Sequence, residues 1–133
     1  MRLVLVRHAE TAPGEPDDLR RLTPRGREQA HELGLRLARD YRPDVLLTSP
    51  LLRARETAEA IGRVIGVTPE PTERLSPGAT AEDVLLASAG RGETVVCVGH
   101  NPDCGHVAAQ LAPERTYDFP PAGMAVITIR TAP

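Results

Sequence analysis

Lysine is absent from this chain: all 16 basic residues are arginine. That excludes a lysine nucleophile, a Schiff base and a P-loop lysine. Tryptophan is absent as well. The aromatics are Tyr41, Tyr117 and Phe119, too few and too scattered for a base-stacking platform. Cysteine is scarce. Cys97 falls in a predicted strand and Cys104 in a predicted helix, and neither belongs to a Cys-x-x-Cys pair. Buried, reduced thiols in a reducing compartment are therefore expected. No hydrophobic run approaches the ~20 residues of a membrane-spanning helix. The apolar start, residues 3–6, is too short for a signal peptide and runs straight into Arg7, so a cytoplasmic location is expected. With 16 basic against 18 acidic residues the formal net charge is −2. That offers no field for nucleic acid or an anionic membrane, and neither is expected as a partner. An Asp-x-Asp cluster, a Walker-type glycine loop and a Cys-x5-Arg loop are also missing.

What remains is an ordinary globular composition in 133 residues. This length suits one domain, residues 1–133, which buries roughly two thirds of its unfolded surface without a metal or disulfide staple. Residues 1–6, 45–48 and 93–98 are apolar runs with no polar alternation, the pattern of strands covered on both faces. Helical signals lie between them. Thr23-Pro24 opens a helix ended by Pro43, with Ala30, Leu33, Leu35, Leu37 and Ala38 as its apolar face. Ser49-Pro50 repeats that opening for a helix running to about Ile65. Thr80 to Asp83 reads as a capping signal for a helix through Ala89, and Asn101-Pro102 begins another. Residues 67–72 carry Pro69 and Pro71 and suit only an edge strand or an extended link. Residues 12–22, with Pro13, Gly14, Pro16 and two aspartates, read as a loop, residues 115–121 as irregular, and residues 123–130 as a last strand. Strands alternating with helices predict a three-layer α/β/α sandwich with a mostly parallel central sheet.

Three predicted strands end in chemistry. The first stops at Arg7-His8, the second leads into Ser49-Pro50-Leu51-Leu52-Arg53, and the third runs into Gly99-His100-Asn101. Ligands of open α/β sheets bind at the carboxyl ends of strands. Two guanidiniums and two imidazoles brought to one edge suit a tetrahedral dianion, since arginine donates paired hydrogen bonds and keeps its charge. Arg7-His8 is costly to bury without an anion to meet it. The best-placed nucleophile is histidine, whose neutral imidazole can attack phosphorus and form a phosphohistidine that water then hydrolyses. His31 and His106 read as ordinary surface or core residues.

Four stretches resemble one family. Leu5 to Thr11 resembles the Arg-His-Gly signature of the histidine phosphatase superfamily, which has the phosphoglycerate mutase-like fold. Thr48 to Ala58 resembles its Ser-Pro-x-x-Arg-Ala-x-x-Thr-Ala motif, Leu22 to Ala30 its Leu-Thr-x-x-Gly-x-x-Gln-Ala run, and Val98 to Pro102 its third motif. The resemblance implies a nucleophilic His8, a phosphate pocket completed by Arg7, Arg53 and His100 with the backbone N–H of Asn101, and no metal or other cofactor. Two departures stand out. Ala9 replaces the usual glycine. The region that supplies a glutamate general acid in relatives acting on alcohol phosphates is here short, residues 72–80, with Pro77 and Gly78 in it. Glu10, Glu73 and Glu82 are the remaining candidates. A compact chain without a clear acid resembles the SixA-type protein-phosphohistidine phosphatases. The chemistry agrees: an alkoxide leaving group needs a proton in the transition state, whereas imidazole leaves readily.

The leading expectation is a protein-phosphohistidine phosphatase, monomeric, whose partner is a phosphorylated protein. A phosphomonoesterase of the same fold acting on a small phosphate ester is the alternative. A phosphate-binding interaction module without turnover is a third reading, disfavoured because all four pocket residues are present. A metal site on His100, Cys104 and His106 is a fourth, with a spacing that suits one helical face poorly.

Overall fold

The computed structural model describes residues 1–130. Its centre is built by the apolar runs. β1 (Arg2–Arg7), β2 (Val45–Thr48) and β4 (Thr94–Gly99) lie side by side and parallel, with β4 in the middle. The two-residue β3 (Glu70–Pro71) extends the β2 edge, where Pro71 leaves no ladder donor missing from a central strand. β5 (Met124–Thr128) closes the other edge antiparallel to β1. The order β3-β2-β4-β1-β5 is a mostly parallel five-stranded sheet, as the alternation of strand and helix signals predicts.

Side chains leave a strand alternately, and both faces are covered. Val4, Val6, Leu46, Val96 and Val98 pack against Leu33 and Leu37 of α1 (Pro24–Asp40) and Ala54, Ala58 and Ile61 of α2 (Leu52–Ile65). Leu3, Leu5, Leu47, Val95 and Cys97 face Val84 of α3 (Ala81–Ser88) and Cys104, Val107 and Ala108 of α4 (Asp103–Leu111). Cys97 and Cys104 are free and buried in that second layer, and burial pushes both thiols up to about 12. Among the described residues no helix is long and apolar enough to cross a membrane.

Three details differ from the sequence expectation. Leu35 is 46% exposed, because Leu33 and Leu37, four apart, set the buried face of α1 and Leu35 falls on the opposite side. Ser49 does not cap α2, which begins at Leu52 with no side-chain cap. Asn101 does not cap α4, whose flanking residue is Pro102. In both cases the polar side chain has another partner in the site, described below. Thr23 and Thr80 do cap their helices, accepting from the N–H groups of Gly26 and Asp83.

The register sets the site. Arg7 of β1 lies level with Gly99 of β4, and Thr48 of β2 level with Val98. His8 and His100 therefore leave their strands level with each other, with Ser49 leaving the third strand one residue earlier.

Candidate active site

His8 is held at both ends of its peptide. Its N–H donates to Gly99 O at 3.0 Å, and its carbonyl accepts from Ala122 N–H at 3.2 Å. Its ring is fixed by Nδ1, which lies 2.8 Å from Ala9 O. A carbonyl only accepts, so Nδ1 carries the hydrogen and the lone pair of a neutral ring sits on Nε2. Burial, with the charges of Arg53, Arg7 and Arg20 adding to it, lowers the imidazole pKa; the Ala9 carbonyl opposes that. The ring is thus neutral near pH 7, with Nε2 free to act as a nucleophile.

Ala9, in the usual glycine position, is fully buried and has no left-handed backbone. The backbone angle does not demand glycine here. Ala9 N–H donates to Thr57 Oγ1 at 3.0 Å, and Thr57 Oγ1 donates to Arg53 O at 2.8 Å. Thr57 thereby ties the residue after His8 to the helix turn that carries Arg53.

The run from Leu22 to Ala30 grips the next residue. Glu10 N–H donates to Gln29 Oε1 at 3.0 Å, and Glu10 O accepts from Thr23 N–H at 3.0 Å. A Cβ on Gly26 would stand 2.1 Å from Glu10 O. This motif acts from behind the site, by fixing the backbone two residues past His8.

His100 faces His8 across the β1–β4 seam, with ring centroids 5.4 Å apart and planes tilted by 59°. Its Nε2 lies 2.8 Å from Ser49 Oγ, which accepts from Leu51 N–H at 3.3 Å. Ser49 Oγ can donate to a bare Nε2 or accept from a protonated one, so the His100 ring hydrogen can sit on either nitrogen. Burial, then the charges of His8 and Arg53, push its pKa down to about 4, with Asp17 opposing.

Arg7 sends Nη1 to Phe119 O at 3.1 Å, and Asn101 Nδ2 donates to the same carbonyl at 3.1 Å. Arg53, 9% exposed, is met by the loop: its Nη1 donates to Asp17 O at 3.1 Å, and its Nη2 lies 3.4 Å from Asp17 Oδ2. Two buried side-chain polar atoms among the described residues have no hydrogen-bond partner, Arg7 Nε and His100 Nδ1. Arg7 Nε is a donor, His100 Nδ1 is a donor or an acceptor according to the ring tautomer, and both belong to this site. An unpaired buried donor costs about 1–3 kcal/mol, and an oxyanion beside His8 would meet that cost at Arg7 Nε.

Every residue the sequence singles out for the pocket is therefore at the carboxyl edge of the sheet. The candidate acids are elsewhere engaged. Glu10 accepts from Thr23 Oγ1 at 3.0 Å, Glu73 from Ser76 Oγ at 3.1 Å, and Glu82 stands exposed in the first turn of α3. No group of three or more metal-ligating side chains comes together among the described residues, His100, Cys104 and His106 included. A surface groove runs along α1 from Arg25 to Arg39 and includes none of the pocket residues. Three contributors escape a reading of the sequence. Ser49 reads as a helix cap, Phe119 acts through its carbonyl alone, and Asp17 lies in a loop with no motif around it.

The model of the histidine phosphatase superfamily, branch 1, matches residues 3–77. Among solved structures, the chain superposes on the protein histidine phosphatase SixA in complex with tungstate with a TM-score of 0.86. The two are 24% identical over 97% of this chain and 88% of that one. A protein of Agrobacterium tumefaciens, provisionally named phosphohistidine phosphatase SixA, gives a TM-score of 0.79. It is 31% identical over 94% of this chain and 88% of its own. Phosphoserine phosphatase of Entamoeba histolytica, with phosphoserine bound, gives 0.75 at 20% identity, over 97% and 91% of the two chains. With the motifs in order, the fold superposed and the family model covering more than half the sequence, the chain belongs to branch 1 of the histidine phosphatase superfamily.

Proposed function

We propose that this phosphatase removes phosphate from phosphohistidine on a partner protein, without a metal, through a covalent intermediate on His8. The observation that carries this reading is the unpartnered Arg7 Nε donor, with His100 Nδ1 unpartnered as well, beside a neutral imidazole whose Nε2 is free. A phosphoryl dianion placed there would accept from Arg7 Nε, from the guanidinium of Arg53 and from His100 in the tautomer that carries its hydrogen on Nδ1. Catalysis of phosphoryl transfer consists mostly of holding that charge in position and aligning the attacker. His8 Nε2 then forms a bond to phosphorus as the bond to the leaving nitrogen breaks, and the electron pair stays on that nitrogen. Water cleaves the resulting phosphohistidine and releases phosphate.

Two features favour an imidazole over an alkoxide as the leaving group. Of the carboxylates nearest the expected acid position, Glu73 accepts from Ser76 Oγ and Glu82 stands exposed in the first turn of α3. The 31% identity with the Agrobacterium protein points the same way. We place the protein in the cytoplasm, as a monomer, with neither nucleic acid nor membrane as a partner.

The test is phosphate release, with a chelator present, from a phosphohistidine peptide, p-nitrophenyl phosphate and phosphoserine in parallel. The reading predicts turnover of the first two and little of the third. Comparable turnover of phosphoserine would reveal an acid catalyst and make a small phosphate ester the substrate.

A further inference from the structure

One charged side chain touches the pocket from outside the four motifs. Asp17 sits in the single 3-10 turn Asp17–Leu19 within loop 12–22. Its carboxylate lies 3.4 Å from Arg53 Nη2 and 3.1 Å from Arg20 Nη1. Arg20 is itself held by Ala12 O at 3.0 Å and Thr11 Oγ1 at 2.6 Å, so the carboxylate is placed by the chain that leaves β1. The Asp17 side chain is 61% exposed and that of Arg53 11%. Asp17 therefore stands on the solvent side of the guanidinium it touches. The hydrogen bond from Arg20, then the charge of Arg53, hold its carboxyl below the usual range. Asp17 is ionised near neutral pH and has no proton to give.

In-line displacement fixes what such a group would meet. An attack by His8 from the sheet edge sends the leaving group out on the opposite side, toward solvent. A phosphohistidine ring leaves well only if its second nitrogen carries a hydrogen, because it then departs as neutral imidazole. Without that hydrogen it would depart as an imidazolate. A carboxylate that accepts from the second nitrogen holds the hydrogen there.

We propose that Asp17 is a specificity-determining residue: its carboxylate accepts a hydrogen bond from the second ring nitrogen of a phosphohistidine substrate and so lets the ring leave as neutral imidazole with no general acid. This rests on the phosphohistidine reading above. The step balances without a proton donor. The P–N bond breaks, the His8 Nε2–P bond forms, and the electron pair stays on the departing nitrogen. The same carboxylate repels substrates with a carboxylate or second phosphate on that side.

The experiment compares wild type with Asp17→Asn on a phosphohistidine peptide and on p-nitrophenyl phosphate, whose leaving group has no such N–H. Asparagine keeps the size of the side chain and leaves the backbone carbonyl that holds Arg53. The ratio of kcat/KM for the peptide to that for the aryl ester falls about tenfold, the loss expected when a charged acceptor becomes neutral, over and above any change that both substrates share through Arg53. Asp17→Ala shows the same split, and melting curves confirm that both variants fold. An equal fall on both substrates would mean that Asp17 only steadies Arg53, and would overturn the proposal. An equal rise would mean that it only competes with phosphate, and would overturn it too. Failure of the broader reading looks different: wild type itself would turn over phosphoserine and not the peptide, and both proposals would fall together.

Discussion

Thr57 is the joint between the two motifs that carry His8 and Arg53. Its hydroxyl accepts from Ala9 N–H at 3.0 Å and donates to Arg53 O at 2.8 Å, and Thr57 and Ala9 are both fully buried. Thr57→Val keeps the shape and removes both bonds. The Arg53 carbonyl loses little, since as an interior helical acceptor it keeps the N–H four residues on. The Ala9 N–H loses its side-chain partner and stays buried, which costs about 1–3 kcal/mol. For a chain of this size each kcal/mol lowers Tm by roughly 3–5 °C. The effect does not end with stability. The Ala9 carbonyl, which orients the His8 ring at 2.8 Å, lies in the same residue, so loosening it misdirects Nε2. Turnover of p-nitrophenyl phosphate should fall at temperatures where the variant is fully folded. Thr57→Ser, which restores the hydroxyl, should recover both properties. Melting curves and initial rates on the three proteins decide the matter. A valine variant with wild-type Tm and wild-type rate would refute the reasoning.

The same geometry has other consequences. His100 has its pKa near 4 in the fold against about 6.5 in an unfolded chain. The unfolded state therefore binds the proton first as pH falls. The stability held by neutral His100 is complete above about pH 6.5 and lost toward pH 4, by up to about 3 kcal/mol. Urea unfolding from pH 7 to pH 4.5 should show that slope, and His100→Gln should flatten it. Gly26→Ala would set a Cβ 2.1 Å from Glu10 O; overlap with backbone costs about 1–3 kcal/mol or more, so a lowered Tm and a slowed reaction are expected together.

Much of this protein is legible in its sequence because buried parallel strands read as unbroken apolar runs. The residues 3–6, 45–47 and 95–98 announce a three-strand core. Once those strands are parallel, the residues just beyond each run necessarily share one edge of the sheet. That is why Arg7, His8, Arg53 and His100 can be placed together. The order of strands cannot, since the position of β4 between β1 and β2 depends on packing that no local pattern encodes. Side-chain partners are the other blind spot. Ser-Pro and Asn-Pro are good helix openings by propensity, yet Ser49 turns to His100 and Asn101 to the Phe119 carbonyl. Asn101 gives its side chain to a tertiary partner in place of a cap, and Ser49 keeps one local contact, from Leu51 N–H, while its hydroxyl also meets His100. Gly26 and Gln29 are visible as letters of a motif, but their work on the Glu10 backbone appears only when α1 is folded against the loop leaving β1.

The central claim is that phosphate passes through His8. The direct measurement is a rapid acid-free quench of the enzyme mixed with a radiolabelled phosphohistidine peptide, with peptide mapping of the label afterwards. The account predicts an alkali-stable, acid-labile phosphoryl group on His8, formed without added metal and absent from His8→Ala. Phosphate release by wild type with no labelled intermediate, or undiminished release by His8→Ala, would contradict it.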